Sequence, residues 1–163
     1  MSLLIRDGAV LSDDWLLLAD GEAPPKTGKL IVSWDRWNAE RTDLDLGALE
    51  VGLLLPNTLD VTAALGDLLG RPLLALSFPS FSDGRAYSQA TLLRRRHHYA
   101  GELRATGQAV VRDQLQQMRT CGFDTFLLRN DQNPELCAKS FHDLTVAYQP
   151  NLLNISGLRP GKH

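Results

Sequence analysis

Residues 49–78 read LEVGLLLPNTLDVTAALGDLLGRPLLALSF, and the way this stretch divides decides the fold. LEVGLLL (49–55) is a continuous apolar run, as expected of a strand covered on both faces. Asn57 and Thr58 can cap a following helix, in which Val61, Leu65 and Leu68 recur at i, i+4 and i+7. Gly70 ends that helix, and PLLALSF (72–78) is a second buried-strand run.

The same alternation continues downstream. The segment after Asp83-Gly84-Arg85 carries a helical pattern through about His97, and GELRATG (101–107) reads as a short third strand. A helix over about 109–120 places Val111, Leu115 and Met118 on one side and stops at Gly122. FDTFLLR (123–129) makes a fourth strand. NPELCAKSFHDLTVAY then opens on an Asn-Pro start and puts Cys137, Phe141, Leu144 and Tyr148 on one face. Four consecutive strand–helix units define an α/β fold with a parallel sheet and right-handed crossovers. Such a sheet is either open and Rossmann-like or curved as half of a (βα)8 barrel, and the sequence leaves both standing.

Upstream, residues 1–45 read as a small β-rich N-terminal extension. LLIRDGAVLSDDWLLLADGE breaks into short apolar runs at Asp-Gly turns, GEAPPKTG is a loop, and KLIVSW resumes as a strand. Trp34 and Trp37 can pack across the sheet or cover a cleft, and core packing is the role expected of them. Residues 1–150 are expected to form a single α/β domain, with 151–163 a loosely ordered tail.

The chain of 163 residues is 44% hydrophobic and 22% charged, with a net charge of −2. That balance argues against a general binder of nucleic acid or anionic membrane, which needs a broad positive field. Its two cysteines, Cys121 and Cys137, are too few for a disulfide scaffold or an iron–sulfur site. No apolar run is long enough to span a bilayer, and the acidic residues of MSLLIRDGAVLSDDW sit where a signal peptide would be apolar. The expected location is the cytoplasm.

In either parallel architecture ligands meet the carboxyl ends of the strands. This rule selects PNT, PSFSDGR and ATGQ. In the second, Ser82 or Asp83 can cap the next helix, whose first amides favour an anion, and Arg85 adds a charged contact. In the third strand Glu102 and Arg104 stand two apart and share a face where a central strand normally presents Val, Ile or Leu. Either they form a buried structural pair or they face a polar cavity, where Arg85 and Arg104 would converge on one oxyanion with Glu102 orienting the guanidinium. Arginine outnumbers lysine and clusters between Arg85 and Arg119. Arg112, Gln116 and Arg119 form a polar helix stripe that reads first as a solvated face. Cys121, at a helix C-terminus, and Cys137, on an apolar face, read as core residues. His97 and His98 point in different directions and lack a third ligand, so no metal site is expected. No glycine-rich phosphate loop announces a cofactor, and the cofactor is unknown.

FPSFSDGRAYSQATLLR, GELRATG and RDQLQQMRTCGF, at their spacing, resemble a bacterial family of unknown function, number 934 in the domain-of-unknown-function series. The likeness covers about residues 50–148, and FPSFSDGRAYS followed by LLR is its most specific phrase. Carried onto this chain, the family motifs fall on Asp83, Gly84, Arg85, Tyr87, Ser88, Arg94, Glu102, Arg104, Gly107, Asp113, Gln114, Cys121 and Gly122. RRRHHY (94–99) departs from the mixed-sign charge of the family and assigns no role to His97 or His98.

The resemblance implies a setting rather than a reaction. Family members are commonly encoded beside the sulfite reductase haemoprotein and labelled as oxidoreductases of sulfite reduction. The first expectation is therefore an accessory protein of assimilatory sulfite reduction, with the haemoprotein as partner and the arginine-rich edge as contact surface. The second is an enzyme acting on a small oxyanion, with Arg85 and Arg104 as clamps, Asp83 or Glu102 as proton carrier, and Tyr87, Ser88, Arg94 and Arg112 around the anion or partner. The third is a cofactor-free structural or regulatory module. A half-barrel that exposes apolar strand edges would also predict a homodimer.

Overall fold

The computed structural model describes residues 3–45 and 47–141. In chain order the first elements are β1 (Leu4–Arg6), β2 (Ala9–Leu11), β3 (Leu16–Leu17), β4 (Gly28–Ser33), α1 (Trp34–Leu44) and β5 (Leu49–Leu55). They are followed by α2 (Leu65–Leu68), β6 (Leu73–Phe78), α3 (Arg85–Thr91) and a π-helical turn (Leu92–Arg96). Next come β7 (Glu102–Gly107), a 3-10 turn (Arg112–Gln114), α4 (Leu115–Cys121) and β8 (Thr125–Leu127). A last helix, α5, opens at 134 and is described as far as 141.

All eight strands form one sheet in the order β2-β1-β8-β7-β6-β5-β4-β3. From β3 to β8 every neighbouring pair is parallel and sequential, whereas the β1–β2 hairpin adds antiparallel to the free side of β8. A sequential parallel order arises when successive right-handed crossovers return along the same face, so helices collect on one side. The contacts agree. Trp37, Leu44, Ala86, Ala90, Leu93, Leu115, Met118, Cys137 and Phe141 from the helices share one core with Leu30, Val51, Leu53, Leu74, Leu76, Phe78, Leu103 and Phe126. Each of the fully buried leucines in that core contributes roughly 1.5–3 kcal/mol. The opposite face carries a separate small cluster of Ile31, Leu73 and Ala75, with Trp15 and Leu54 packed on it.

Chain length forces this sheet to curl. Strands β2 and β3 lie at its two edges, yet only residues 12–15 connect them. Eight strands laid flat would separate those edges by about 33 Å. The five residue steps from Leu11 to Leu16 reach about 18 Å at most. The sheet therefore bends into a half-barrel, and residues 12–15 cross its concave side as a strap.

The expectation of four βα units is corrected in its details. β4 passes directly into α1, so KLIVSW and SWDRWN form a further parallel βα unit within the segment read as a β-rich extension. Ser33 caps α1, its Oγ accepting the Arg36 N–H at 3.2 Å, and the helix so started carries Trp37 into the core, with Trp34 packed against it. The helix expected after β5 shrinks to Leu65–Leu68. Asn57 and Thr58 do not cap it; Asp60 Oδ1 instead accepts the N–H groups of Thr62 and Ala63, a local turn that competes with helix. The helix expected from 109 begins only at the 3-10 turn, because Val111 stays extended at φ −131°, ψ 161°. The fourth strand contracts to Thr125–Leu127. Leu144, Tyr148 and the 151–163 tail lie outside the described residues.

Candidate functional site

The pleat of β7 sorts ELRATG onto two faces. Leu103 and Ala105 enter the helix-side core, and Glu102, Arg104 and Thr106 turn to the concave side. Strand register then fixes a row across that concavity: Ser33 beside Leu54, Leu54 beside Ala75, Ala75 beside Arg104 and Arg104 beside Thr125. Arg104 is 2% exposed. Its Nη1 donates to Asp13 Oδ2 at 3.0 Å and its Nη2 to Glu102 Oε2 at 3.2 Å. Glu102 Oε2 also accepts the Thr125 hydroxyl at 2.8 Å, and Glu102 Oε1 lies 3.5 Å from Arg6 Nη2. Two arginines and two carboxylates thus form a neutral chain, as a buried charge requires. The Nε–H of Arg104 is the exception. It is buried and has no acceptor among the described residues.

The strap closes over this cluster. Asp13 brings its carboxylate to Arg104 while its Oδ1 accepts the Trp15 N–H at 3.0 Å. The Trp15 indole lies on the Ile31, Leu73 and Ala75 cluster, with Lys29 Nζ 5.7 Å from the ring centroid. Beneath the strap is a cavity of about 60 Å³, bordered by Asp13, Trp15, Leu54, Ala75, Arg104 and Thr106.

The PSFSDGR loop is a separate structure on the rim. Gly84 occupies the N-cap of α3 and no side chain caps it. Asp83 folds back instead: its carboxylate accepts Arg85 Nε at 3.0 Å, Arg85 Nη2 at 2.7 Å and the Arg85 N–H at 3.2 Å. These side-chain and backbone hydrogen bonds from Arg85, with help from Asn57, hold the Asp83 carboxyl well below the usual carboxylate range. The expected convergence of Arg85 and Arg104 is corrected: among the described residues the two line no common pocket and share no partner. Arg85 is 59% exposed and paired with Asp83, Arg104 is enclosed and paired with Asp13 and Glu102, and Arg85 does not border the cavity.

Other candidate residues have structural partners. Arg94 donates through Nε to Gly122 O at 2.8 Å, through Nη1 to Tyr99 O and Gly101 O at 2.7 Å each, and through Nη2 to Asp124 Oδ2. Gly122, at φ 112°, lets this happen: a Cβ there would lie 2.3 Å from Arg94 Cγ. The Tyr87 hydroxyl donates to Gln114 Oε1 at 2.8 Å, and burial pushes that phenol upward. Ser88 and Arg112 are exposed, and the Arg112 N–H donates to Gln132 Oε1 at 3.2 Å. Cys137 is 2% exposed and burial pushes its thiol up, whereas Cys121 is half-buried against the core. His97 Nε2 sits 3.0 Å from Thr62 Oγ1. Among the described residues no group of three or more His, Cys, Asp or Glu is placed to hold a metal ion.

Sequence reasoning missed three participants. Asp13 and Trp15 lie some ninety residues from Arg104 in a segment read only as short apolar runs broken by turns, and Arg6 sits on the added hairpin. Only the strap topology brings them together. On the same rim as the PSFSDGR loop, Arg129 pairs with Asp131 at 2.7 Å, donates to Gln108 O at 3.3 Å and lies 5.5 Å from the Phe81 ring centroid.

On the outer surface, Arg95, Arg96, Arg112 and Arg119 are all exposed, and Arg95 Nη2 donates to Thr120 O at 3.1 Å, linking the π-helical turn to α4. No helix of the described residues is long and apolar enough to cross a membrane.

No curated protein matches the chain. A family model described as a bacterial protein of unknown function matches residues 52–157, which takes in the strands and loops that carry Asp83, Arg85, Glu102 and Arg104. With most of its length so matched, the chain belongs to that bacterial family, DUF934.

Proposed function

We propose that the chain is an accessory protein of assimilatory sulfite reduction, which docks on the sulfite reductase haemoprotein through the arginine-rich outer surface of the π-helical turn and α4. One observation carries this reading over a catalytic one. Asp83 and Glu102, the two carboxylates suited to proton transfer, are both committed to arginine partners, whereas Arg95, Arg96 and Arg112 face solvent. A general acid or base needs a proton free to move near neutral pH, and Asp83, held far below its usual range by the bidentate Arg85, lacks one. Exposed guanidinium groups suit the recognition of carboxylates on a protein partner. The sulfur setting comes from the family likeness.

A deletion strain tests the setting. Growth restored by sulfide, and neither by sulfate nor by sulfite, is the expected result; growth on all three, or on none, overturns it. Co-elution of the full chain with the reductase tests docking. The double charge reversal Arg95→Glu with Arg96→Glu should abolish it, since like charge at a rim slows association. Undiminished co-elution of the reversed variant removes this surface from the proposal.

A second reading, an oxyanion-binding site on the concave face, is favoured by the unpaired Nε–H of Arg104.

A further inference from the structure

We propose that Arg104 anchors a binding site for one small oxyanion, of the size of sulfite, sulfate or phosphate, and that the Asp13 carboxylate is a built-in stand-in which the anion displaces. The proposal rests on the concave-face geometry and stands whether or not the reductase is the partner.

Three features of the concave face converge on it. The first is the Arg104 guanidinium. Its side chain is 3% exposed, two of its nitrogens are bonded to carboxylates, and its Nε–H has no acceptor among the described residues. Buried polar hydrogens are nearly always paired, and an exception points to a ligand or water. The second is the adjoining cavity of about 60 Å³. It borders Arg104 and Thr106, so a guanidinium and a hydroxyl stand beside walls of Ile31, Leu54 and Ala75. The volume matches roughly two waters' share of the liquid, or one anion of four or five heavy atoms. A phosphate ester with an organic group of any size does not fit beneath the strap.

The third is the asymmetry between the two carboxylates. Glu102 is shared by Arg104, Thr125 and Arg6, so its departure would strand three donors. Among the described residues the Asp13 side chain bonds only Arg104, apart from the Trp15 N–H of its own strap. Residues 12–15 carry no regular secondary structure, and the Asp13 side chain is 28% exposed. A carboxylate and a small oxyanion present similar pairs of oxygens to a guanidinium fork. With Asp13 swung out, Arg6 and Arg104 face Glu102 alone, which leaves one net positive charge to receive an anion. Entry of the anion then displaces Asp13 and disturbs the indole two residues on.

The full chain is titrated with sodium sulfite, sodium sulfate and sodium phosphate at constant ionic strength set by chloride, followed by calorimetry and tryptophan fluorescence. The expected result is saturable heat with at least one of the three, accompanied by a fluorescence change that Trp15→Phe abolishes while leaving the heat. Asp13→Asn removes the competing charge and should tighten binding about tenfold, the scale of one charged contact. Arg104→Lys, which keeps the charge but loses the fork, should weaken it about tenfold or more. If wild type and Asp13→Asn, both folded by circular dichroism, give no heat with any of the three anions, the site is refuted. If Asp13→Asn binds no more tightly than wild type, the stand-in is refuted. Co-elution of Asp13→Asn with the reductase, measured alongside, should be unchanged, so failure of the anion site and failure of the docking proposal are read separately.

Discussion

Replacing Arg94 by alanine separates a structural arginine from a ligand-binding one. Arg94 ties the π-helical turn to the segment leading into β7 through the carbonyls of Tyr99 and Gly101, and to the β7–β8 connection through the Gly122 carbonyl and the Asp124 carboxylate. Asp124 in turn accepts the Leu103 N–H at 3.0 Å, so the truncation also loosens the entry to β7. Three carbonyl bonds at about 1 kcal/mol each, with an ion pair discounted to about 1 kcal/mol because Asp124 is 38% exposed, give a loss of about 4 kcal/mol. For a domain of this size that lowers Tm by roughly 8–16 °C. Equilibrium unfolding in urea, followed by circular dichroism, measures it directly as a fall in midpoint at constant slope. Gly122→Ala supplies the internal control. Its cost has two parts: the left-handed backbone at φ 112°, and a Cβ 2.3 Å from Arg94 Cγ. In the Arg94→Ala background the Cγ clash is gone and only the backbone cost and a 3.1 Å approach to the remaining Cβ survive, so the double mutant should be more stable than the two single losses predict when added. A loss below about 1 kcal/mol for Arg94→Ala, or strict additivity in the cycle, would refute this account and return Arg94 to the list of ligand-binding candidates.

Gly107→Ala should prevent stable folding, because at φ 115° a Cβ would lie 2.3 Å from Phe78 O inside the β6–β7 pairing; soluble yield and hydrogen exchange of β6 report it. Tyr87→Phe should cost about 1 kcal/mol in urea unfolding by leaving Gln114 Oε1 without its donor. Acid should remove a specific part of the stability. Asp83 is held well below its usual value by Arg85, and Asp131 is pushed down to about 2 by Arg129. Because both carboxyls are lowered in the folded state, their contribution is whole above the unfolded value near 4 and disappears as pH falls through the folded ones. The urea midpoint should therefore decline between pH 5 and about 2 less steeply in Asp83→Asn with Asp131→Asn than in wild type, and an equal decline in both refutes the assignment.

The parallel core was legible because its strands announce themselves by composition. LEVGLLL and PLLALSF could only be strands covered on both faces, and GELRATG alternated clearly enough to set Leu103 apart from Arg104. The failures have a common physical origin. In 56–64, Asp60 ties the backbone amides of Thr62 and Ala63, so a segment with helical spacing spends its polar groups on a turn. At 109–111, two valines favour extended backbone and delay the helix to Leu115. In SWDRWN the reverse occurred: a serine cap turned an aromatic-rich segment into a helix, and with it a supposed extension became part of the parallel sheet.

The arginines show why the candidate site was only half readable. A side chain's type and its face on a strand are local properties, and these correctly set Glu102 and Arg104 on one surface. Its partner is a property of topology. Asp13 reaches Arg104 because a connection of four residues must span the two edges of an eight-stranded sheet, and it can do so only across the concave side. The same constraint couples sheet curvature to strap position. A strap pulled outward by anion entry must draw β2 and β3 with it or lengthen, and there is little slack to lengthen. Inserting two glycines after Ser12 should therefore relax the strap: it adds reach, weakens the hold of Asp13 on Arg104 and leaves the parallel pairing of β4 to β8 intact. Amide exchange faster at Trp15–Leu17 than in wild type, with β5–β7 protection unchanged, is the expected signature. Equal acceleration in β5–β7 would mean that the strap is part of what holds the sheet in its curve.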